Sequence, residues 1–305
     1  TPSSTPTHTV AQALQQGIAQ GLAPLDAQLL LLHALGQDEA GRSWLLAHDD
    51  EVLSSAAQHR WQQLVQRRLQ GEPVAYLRGW REFFGLRLAV DARVLDPRPD
   101  TETLLEWALA LLPGLGSHPT VADLGTGSGA LACALAQQAP HAQVWASDAS
   151  AAALEVAQHN AQHLQLPVHF AQGSWFDAFT QHHSNLRFDL LLSNPPYIRS
   201  NDPYLPALRH EPLQALVSGA DGLDDIRTLI AQAPDWLRPD GWLLLEHGYD
   251  QADAVQQLLL ARGFTHVQGR QDLAGIVRCS GGQWPSTYLD DRLNPAPSHP
   301  GMALR

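Results

Sequence analysis

The chain of 305 residues contains no lysine, one methionine (Met302), five isoleucines and two cysteines. All 19 basic residues are arginine, a usage that avoids A/T-rich codons and points to a GC-rich genome rather than to a function. Cys133 and Cys279 are too few for a disulfide framework or a CxxC zinc site, and they suit a reducing cytoplasm. Long apolar runs are missing too. The most hydrophobic stretches, Leu29 to Leu32 and Leu104 to Leu112, are short or carry Glu106, whereas a membrane-spanning helix needs roughly 18 residues. Thr1 to Val10 has neither a basic start nor an apolar stretch, so no signal peptide is expected. Cations are scarce, 19 against 31 acids, and the net charge of −12 disfavours stable nucleic-acid binding, which needs clustered Lys and Arg on phosphates. The acidity favours a basic partner. With 44% hydrophobic residues the chain can bury a large core, and a soluble, cytoplasmic, monomeric protein of one large or two ordinary domains is expected.

Residues 1–79 read as a small helical domain. Pro24-Leu25-Asp26 opens an apolar run that ends at Gly36, a suitable residue just past a helix. From Glu51 to Gln70 the spacing places Ala57, Trp61, Leu64, Val65 and Leu69 on one helix face. Residues 80–98, with Arg81-Glu82-Phe83-Phe84, Gly85 and Leu86 to Val90, suggest a β-hairpin linker, after which Asp100-Thr101-Glu102 can cap a helix from Thr103 to Leu112. Residues 99–284 then alternate strand and helix. Strands are expected at 120–124, 143–147, 168–171, 188–193, 242–246, 265–269 and 276–280, with helices over 128–138, 150–163, 224–237 and 251–262. Such β-α repetition predicts a mostly parallel sheet with helices on both faces. Residues 285–305, with four prolines, read as a loose tail.

Two loops carry the chemistry. Asp123-Leu124-Gly125-Thr126-Gly127-Ser128-Gly129 lies at a strand-to-helix turn, where glycines let the backbone turn tightly and approach a ligand. Gly125, Gly127 and Ala130 also fit a dinucleotide fingerprint, and glycines can serve packing alone. Asp148 ends the next strand, where a carboxylate can accept both ribose hydroxyls or cap the following helix. Together they point to a nucleoside ligand. The second loop, Ser193-Asn194-Pro195-Pro196-Tyr197, follows an apolar strand. Two prolines stiffen it and remove two donors, leaving the Pro195 carbonyl and the Asn194 side-chain oxygen free to accept. Such a loop selects an NH2 group. Two acceptors on its N–H bonds favour a pyramidal nitrogen whose lone pair can meet an electrophile, and Tyr197 can stack on the flat group.

These loops together resemble the S-adenosylmethionine-dependent amino methyltransferases. Further segments resemble one branch of them: Arg68-Leu69-Gln70-Gly71-Glu72-Pro73-Val74-Ala75-Tyr76-Leu77, Pro97-Arg98-Pro99-Asp100-Thr101-Glu102, Glu211-Pro212, Asp221-Gly222-Leu223 and Leu245-Glu246-His247-Gly248. That branch is the HemK/PrmC-type release-factor glutamine methyltransferases, and the likeness runs from about Leu29 to Gly281. It implies an α/β fold with a Rossmann-like seven-stranded methyltransferase sheet. It implies S-adenosylmethionine as cofactor, S-adenosylhomocysteine as product, and as substrate the GGQ glutamine of class 1 peptide-chain release factors. By the same resemblance Asp123, Gly125, Thr126, Gly127, Ser128 and Gly129 would lie along the cofactor, Asp148 at its ribose and Trp175 at its adenine. Asn194, Pro195, Pro196 and Tyr197 would hold the substrate amide, and the helical domain would dock the partner.

Two readings compete with glutamine methylation: N6-adenine methylation of DNA or RNA, which the Asn194 loop suits equally, and a noncatalytic nucleoside-binding module of the translation machinery. The low positive charge weighs against the first and the intact Asn194 loop against the second. Glu155, His159 and His163 share a helix face at a spacing that could bind metal, but a solvated stripe is the expected reading and no metal is expected. His182-His183 reads as surface. Gly281-Gly282-Gln283 repeats the target tripeptide and reads as a turn after the last strand.

Overall fold

The structure, a computed structural model, describes residues 8–180 and 183–286. His182 and nearly all of the expected tail lie outside the described residues. The chain divides into two compact units: Thr1–Glu82 with Arg87–Asp96 and Pro203–Pro212, and Phe83–Leu86 with Pro97–Asp202 and Leu213–Arg305.

The first unit holds helices α1 (Val10–Ala19), α2 (Pro24–Leu35), α3 (Arg42–Ala47), α4 (Ser55–Leu69) and α5 (Val74–Arg78). Each boundary has a local cause. Thr9 and Gln12 form a reciprocal capping box at the start of α1, Pro24 opens α2, and Gly36 closes it in the left-handed conformation at φ 69°. Ser54 caps α4, so this helix starts four residues after the expected Glu51. Ala57, Trp61, Leu64 and Val65 are buried with Leu30, Leu31 and Leu45. Leu69, expected on that face, is instead 42% exposed, because the last turn of α4 runs past the packed surface.

Strands β1 (Trp80–Phe83) and β2 (Leu86–Ala89) form the expected hairpin. Its turn residues Phe84 and Gly85 have φ of 48° and 75°, the signs that a right-twisted two-residue turn requires.

The second unit contains α6 (Thr101–Leu111), β3 (Thr120–Leu124), α7 (Ala130–Gln138), β4 (Gln143–Asp148), α8 (Ala151–His163), β5 (Val168–Gln172), α9 (Asp177–Thr180), β6 (Phe188–Ser193), α10 (Asp224–Gln232), β7 (Leu237–Glu246), α11 (Ala252–Arg262), β8 (Thr265–Gln271) and β9 (Val277–Gln283). The seven-stranded sheet has the order β5-β4-β3-β6-β7-β9-β8, parallel except that β9 runs antiparallel to both neighbours. Its central strands are buried on both faces, as near-continuous apolar runs such as Leu190 to Leu192 require.

Three expectations change here. The helix expected to reach Leu237 stops at Gln232, and a 3-10 turn at Ala233–Asp235 follows, because Pro234 cannot donate to the preceding turn and Leu237 already pairs with Phe188 in the sheet. Asp100 makes no side-chain cap to α6 and instead binds Arg278 at 2.8 Å. Gly281-Gly282-Gln283 is not a turn but part of β9, where a Cβ on Gly281 would lie 2.6 Å from the Leu244 side chain and 2.8 Å from that of Trp107. Packing explains that glycine, and the Gln283 amide is held by the Asp240 carbonyl at 2.9 Å.

Candidate active site

Strand order creates the site. β3 neighbours β4 on one side and β6 on the other, so the crossovers diverge at β3 and leave a crevice at the carboxyl ends of β3 and β6. The glycine loop leaves β3 and the Asn194 loop leaves β6, which brings both sequence motifs to that edge.

Gly125, Gly127 and Gly129 all have positive φ, at 74°, 54° and 81°. The amides of Gly125 and Thr126 both donate to the Ser147 carbonyl, at 2.9 and 2.8 Å, which ties the loop to the end of β4. A Cβ on Gly129 would sit 3.1 Å from the Ala157 Cβ, so this glycine lets α8 approach. A Cβ on Gly127 would meet nothing within 4 Å. That open face leaves room for a ligand against the loop. Ser128 is buried and its carbonyl accepts from Asn160 Nδ2 at 2.9 Å.

Two carboxylates frame the loop. Asp123 is buried and its Oδ2 accepts the Thr126 hydroxyl at 2.6 Å. Its Oδ1 has no hydrogen-bond partner among the described residues, and burial pushes the carboxyl up to about 7, against the pull of the Thr126 hydroxyl and the Ala132 amide. Asp148 accepts the Gly127 amide through Oδ2 and the Ser150 amide through Oδ1, both at 2.9 Å. The helix cap itself falls to Ser150, whose hydroxyl accepts from Ala153. Burial raises the Asp148 pKa, against the pull of these amides. The Ala149 amide also pulls on this carboxylate, and since a carboxylate offers about four acceptor directions, room remains for a hydroxyl donor. The residues present therefore fit a ribose-bearing cofactor.

Trp175, at φ 48°, lays its ring over Gly125, where a Cβ would be 3.0 Å from Cζ3. Its indole N–H donates to Asp225 Oδ1 at 3.2 Å, and its half-buried ring also packs on the core beside Phe176.

In the second loop, the Ser193 hydroxyl donates to the Leu124 carbonyl at 2.6 Å and locks β6 to β3. Pro195 is buried, while Asn194, Pro196 and Tyr197 are half-buried. Asn194 Nδ2 donates to Thr101 Oγ1 at 3.2 Å. The Tyr197 hydroxyl donates to Glu246 Oε1 at 3.5 Å, and its carbonyl accepts from Gln251 Nε2 at 3.1 Å. Gly222 sits so close that a Cβ there would be 2.2 Å from the Tyr197 carbonyl oxygen. His247 is buried between Ser280 Oγ at 2.8 Å and the Gly248 carbonyl at 2.9 Å, with its pKa lowered by burial, so it stays a neutral structural group.

Glu246 and Gln251 were not singled out for the site from sequence. Glu246 did leave a signal: a carboxylate closing the apolar run Leu243 to Leu245, in register with the end of β6, since Ser193 pairs with Leu245. Among the described residues no group of three or more His, Cys, Asp or Glu could hold a metal ion, and His159 stacks on His163 at 6.2 Å. No described helix is long and apolar enough to cross a membrane.

Comparison with known proteins places the chain in a family. The PrmC N-terminal domain family matches residues 8–79, and the methyltransferase small domain family matches residues 106–268. A release factor glutamine methyltransferase of Burkholderia pseudomallei is 47% identical over 285 residues, covering 91% of this chain and 96% of the relative. One of Xylella fastidiosa is 48% identical over 276 residues, covering 90% and 98%. Among solved structures, the hMettl16 catalytic domain in complex with an MAT2A 3′UTR hairpin aligns with a TM-score of 0.52 at 16% identity, over 73% of this chain and 81% of that one, a likeness of fold. Two family matches along the chain and near-half identity over nearly all of it place it: it belongs to the release factor glutamine methyltransferases, within the S-adenosylmethionine-dependent methyltransferases.

Proposed function

We propose that the chain methylates the side-chain amide nitrogen of the GGQ glutamine in class 1 peptide-chain release factors. The observation that carries this is the meeting, at the ends of adjacent strands, of a glycine cradle with Asp148 and an amide-accepting loop. When bound, S-adenosylmethionine supplies a methyl group on an electrophilic sulfonium. The protein then has only to bind, orient and exclude water. Asp148 would take the ribose hydroxyls, the backbone of Gly125 to Gly129 would hold the methionine portion, and the Trp175 ring would cover the adenine. Asn194 Oδ1 and the Pro195 carbonyl would accept the two N–H bonds of the substrate amide, which would leave the nitrogen lone pair free to face an electrophile. No general base is required, because the nitrogen is acidified once it carries the new methyl.

The helical residues 1–79 are proposed as the docking element for the release factor, and the work is proposed to take place in the cytoplasm. A release-factor domain that enters the ribosome must tolerate rRNA and is expected to be basic, so a net charge of −12 supports its attraction while repelling nucleic acid. Incubation with labelled cofactor and either a purified release factor or DNA and RNA tests the proposal. Label on the glutamine of the release factor is expected, and label on adenine alone would defeat it. Deletion of residues 1–75 without loss of activity on the intact release factor would remove the docking role.

A further inference from the structure

A tryptophan in an uncommon backbone conformation needs partners that keep it there. Trp175 has φ 48°, in the left-handed region that bulky side chains seldom enter. Its loop begins at Gly173, whose amide donates to the Asp148 carbonyl at 3.0 Å, beside the carboxylate proposed for the ribose. The two edges of the indole are fixed by different groups. The six-membered ring lies over Gly125, with Cζ3 3.0 Å and Cη2 3.4 Å from where a Cβ would stand, and the N–H donates to Asp225 Oδ1 at 3.2 Å, 50 residues further on. Contact at one edge alone leaves a ring free to swing about its side-chain bonds, and a charge-assisted hydrogen bond at the other edge removes that freedom. We propose that Asp225 is a positioning residue for the base of the cofactor: it fixes the plane of Trp175, so that the ring is in place before the adenine arrives. This rests on the reading of Trp175 as the contact of the adenine.

Asp225 is itself anchored. It lies in the first turn of α10, and its amide donates to the hydroxyl oxygen of the buried Ser218 at 2.8 Å. The Ser218 amide donates in turn to the Ile198 carbonyl at 3.0 Å, at the short parallel bridge between Ile198 and Val217. The support of the indole therefore ends in the segment that follows Tyr197. A carboxylate in a first turn also suits the positive end of a helix, but Asp224 already supplies one, and its Oδ1 accepts from Arg227 at 3.1 Å. Asp225 is the one that turns to the indole. Fixing the ring beforehand matters because an aromatic contact adds to affinity only by what is left after the side chain has been ordered.

The test is the affinity for S-adenosylhomocysteine, measured by calorimetry, together with the indole N–H resonances read by NMR. Wild type, Asp225→Ala, Asp225→Asn, Trp175→Phe and the combination of Asp225→Ala with Trp175→Phe are compared. Asp225→Ala is expected to weaken binding roughly threefold to tenfold, the scale of one aromatic contact, and in turnover to raise KM for the cofactor rather than lower kcat. Asp225→Asn keeps an acceptor oxygen and restores the affinity. In the Trp175→Phe background no N–H is left to hold, so Asp225→Ala has no further effect there. The indole resonance that Trp175→Phe removes is expected to move toward the position of a free indole in Asp225→Ala. Wild-type affinity in Asp225→Ala, an unmoved resonance, or a loss of equal size in the Trp175→Phe background would overturn the proposal. Trp175→Ala binding as tightly as wild type would defeat the adenine reading instead, and a wild-type protein that binds no S-adenosylhomocysteine would defeat the functional reading.

Discussion

Asp148 and Gly127 are joined by a 2.9 Å hydrogen bond from the glycine amide to the carboxylate, so the group proposed to hold the ribose also holds the loop that lies along the cofactor. Replacing Asp148 by Ala removes both functions at once. Hydrogen bonds to charged groups contribute about 1.5–3 kcal/mol, so cofactor affinity should fall on the order of tenfold to hundredfold in calorimetry. Unchanged affinity would show that the ribose is held elsewhere.

Asn194→Ala should act on the other step. Removing one preorganised polar group that aligns the reacting nitrogen lowers kcat on the order of a hundredfold. The affinity for S-adenosylmethionine should change far less, since the cradle of Gly125 to Gly129 is intact. Equal losses in turnover and in cofactor binding would contradict the assignment.

The glycines of the cradle are separable by what a methyl group would meet. Gly129→Ala combines φ 81° with a contact 3.1 Å from the Ala157 Cβ and 3.2 Å from its Cα, and is expected to destabilise by about 2–4 kcal/mol. Gly127→Ala, at φ 54° with nothing within 4 Å, should cost only about 1–2 kcal/mol yet abolish cofactor binding by filling the open face. Thermal melts paired with calorimetry check both. Similar melting losses in the two variants would refute the distinction.

Stability should decline as pH rises through neutrality. Asp123 and Glu246 are raised by burial from 3.8 and 4.5 to about 7, so the folded state holds their protons more tightly than the unfolded chain does. Their contribution is complete below the unfolded values and is lost as pH climbs to about 7, a change on the order of a few kcal/mol. His247 acts in the opposite sense below its ordinary 6.5, but it is one group against three, since burial raises Asp148 too. Denaturant midpoints should be higher near pH 5.5 than near pH 8, and Asp123→Asn should flatten the dependence. A midpoint that rises with pH across this range would contradict it.

The legible parts of the site share a cause: their signals are local. Alternating glycines declare a tight backbone path by themselves, a carboxylate after an apolar strand declares a strand end, and Pro195-Pro196 declares a loop with bare acceptors. Gly36 and the buried face of α4 were readable for the same reason, because helix closure and helical spacing act within a few residues. Leu69 misled because a periodic pattern does not say where the partner surface ends.

Other features depend on groups far apart in the chain. Asn194 and Thr101 are 93 residues apart, and Asp100 and Arg278 are 178 apart. No local preference links either pair. The same holds for residues 203–212, which cluster with the first unit, where the Glu211 carboxylate accepts the Asp96 amide at 3.2 Å.

Sequence alone determined the materials of this protein: a glycine-rich strand-to-helix turn, a Pro-stiffened Asn194 loop, an α/β sheet to carry them and a net charge of −12. These follow from backbone freedom, side-chain donors and net charge, which are properties of residues and short segments. Only the tertiary structure decided which way the Asn194 amide faces, toward Thr101 at the start of α6. Hydrogen-bond direction belongs to a set of partners, and that set exists only once the sheet has formed and brought the end of β6 to the start of α6.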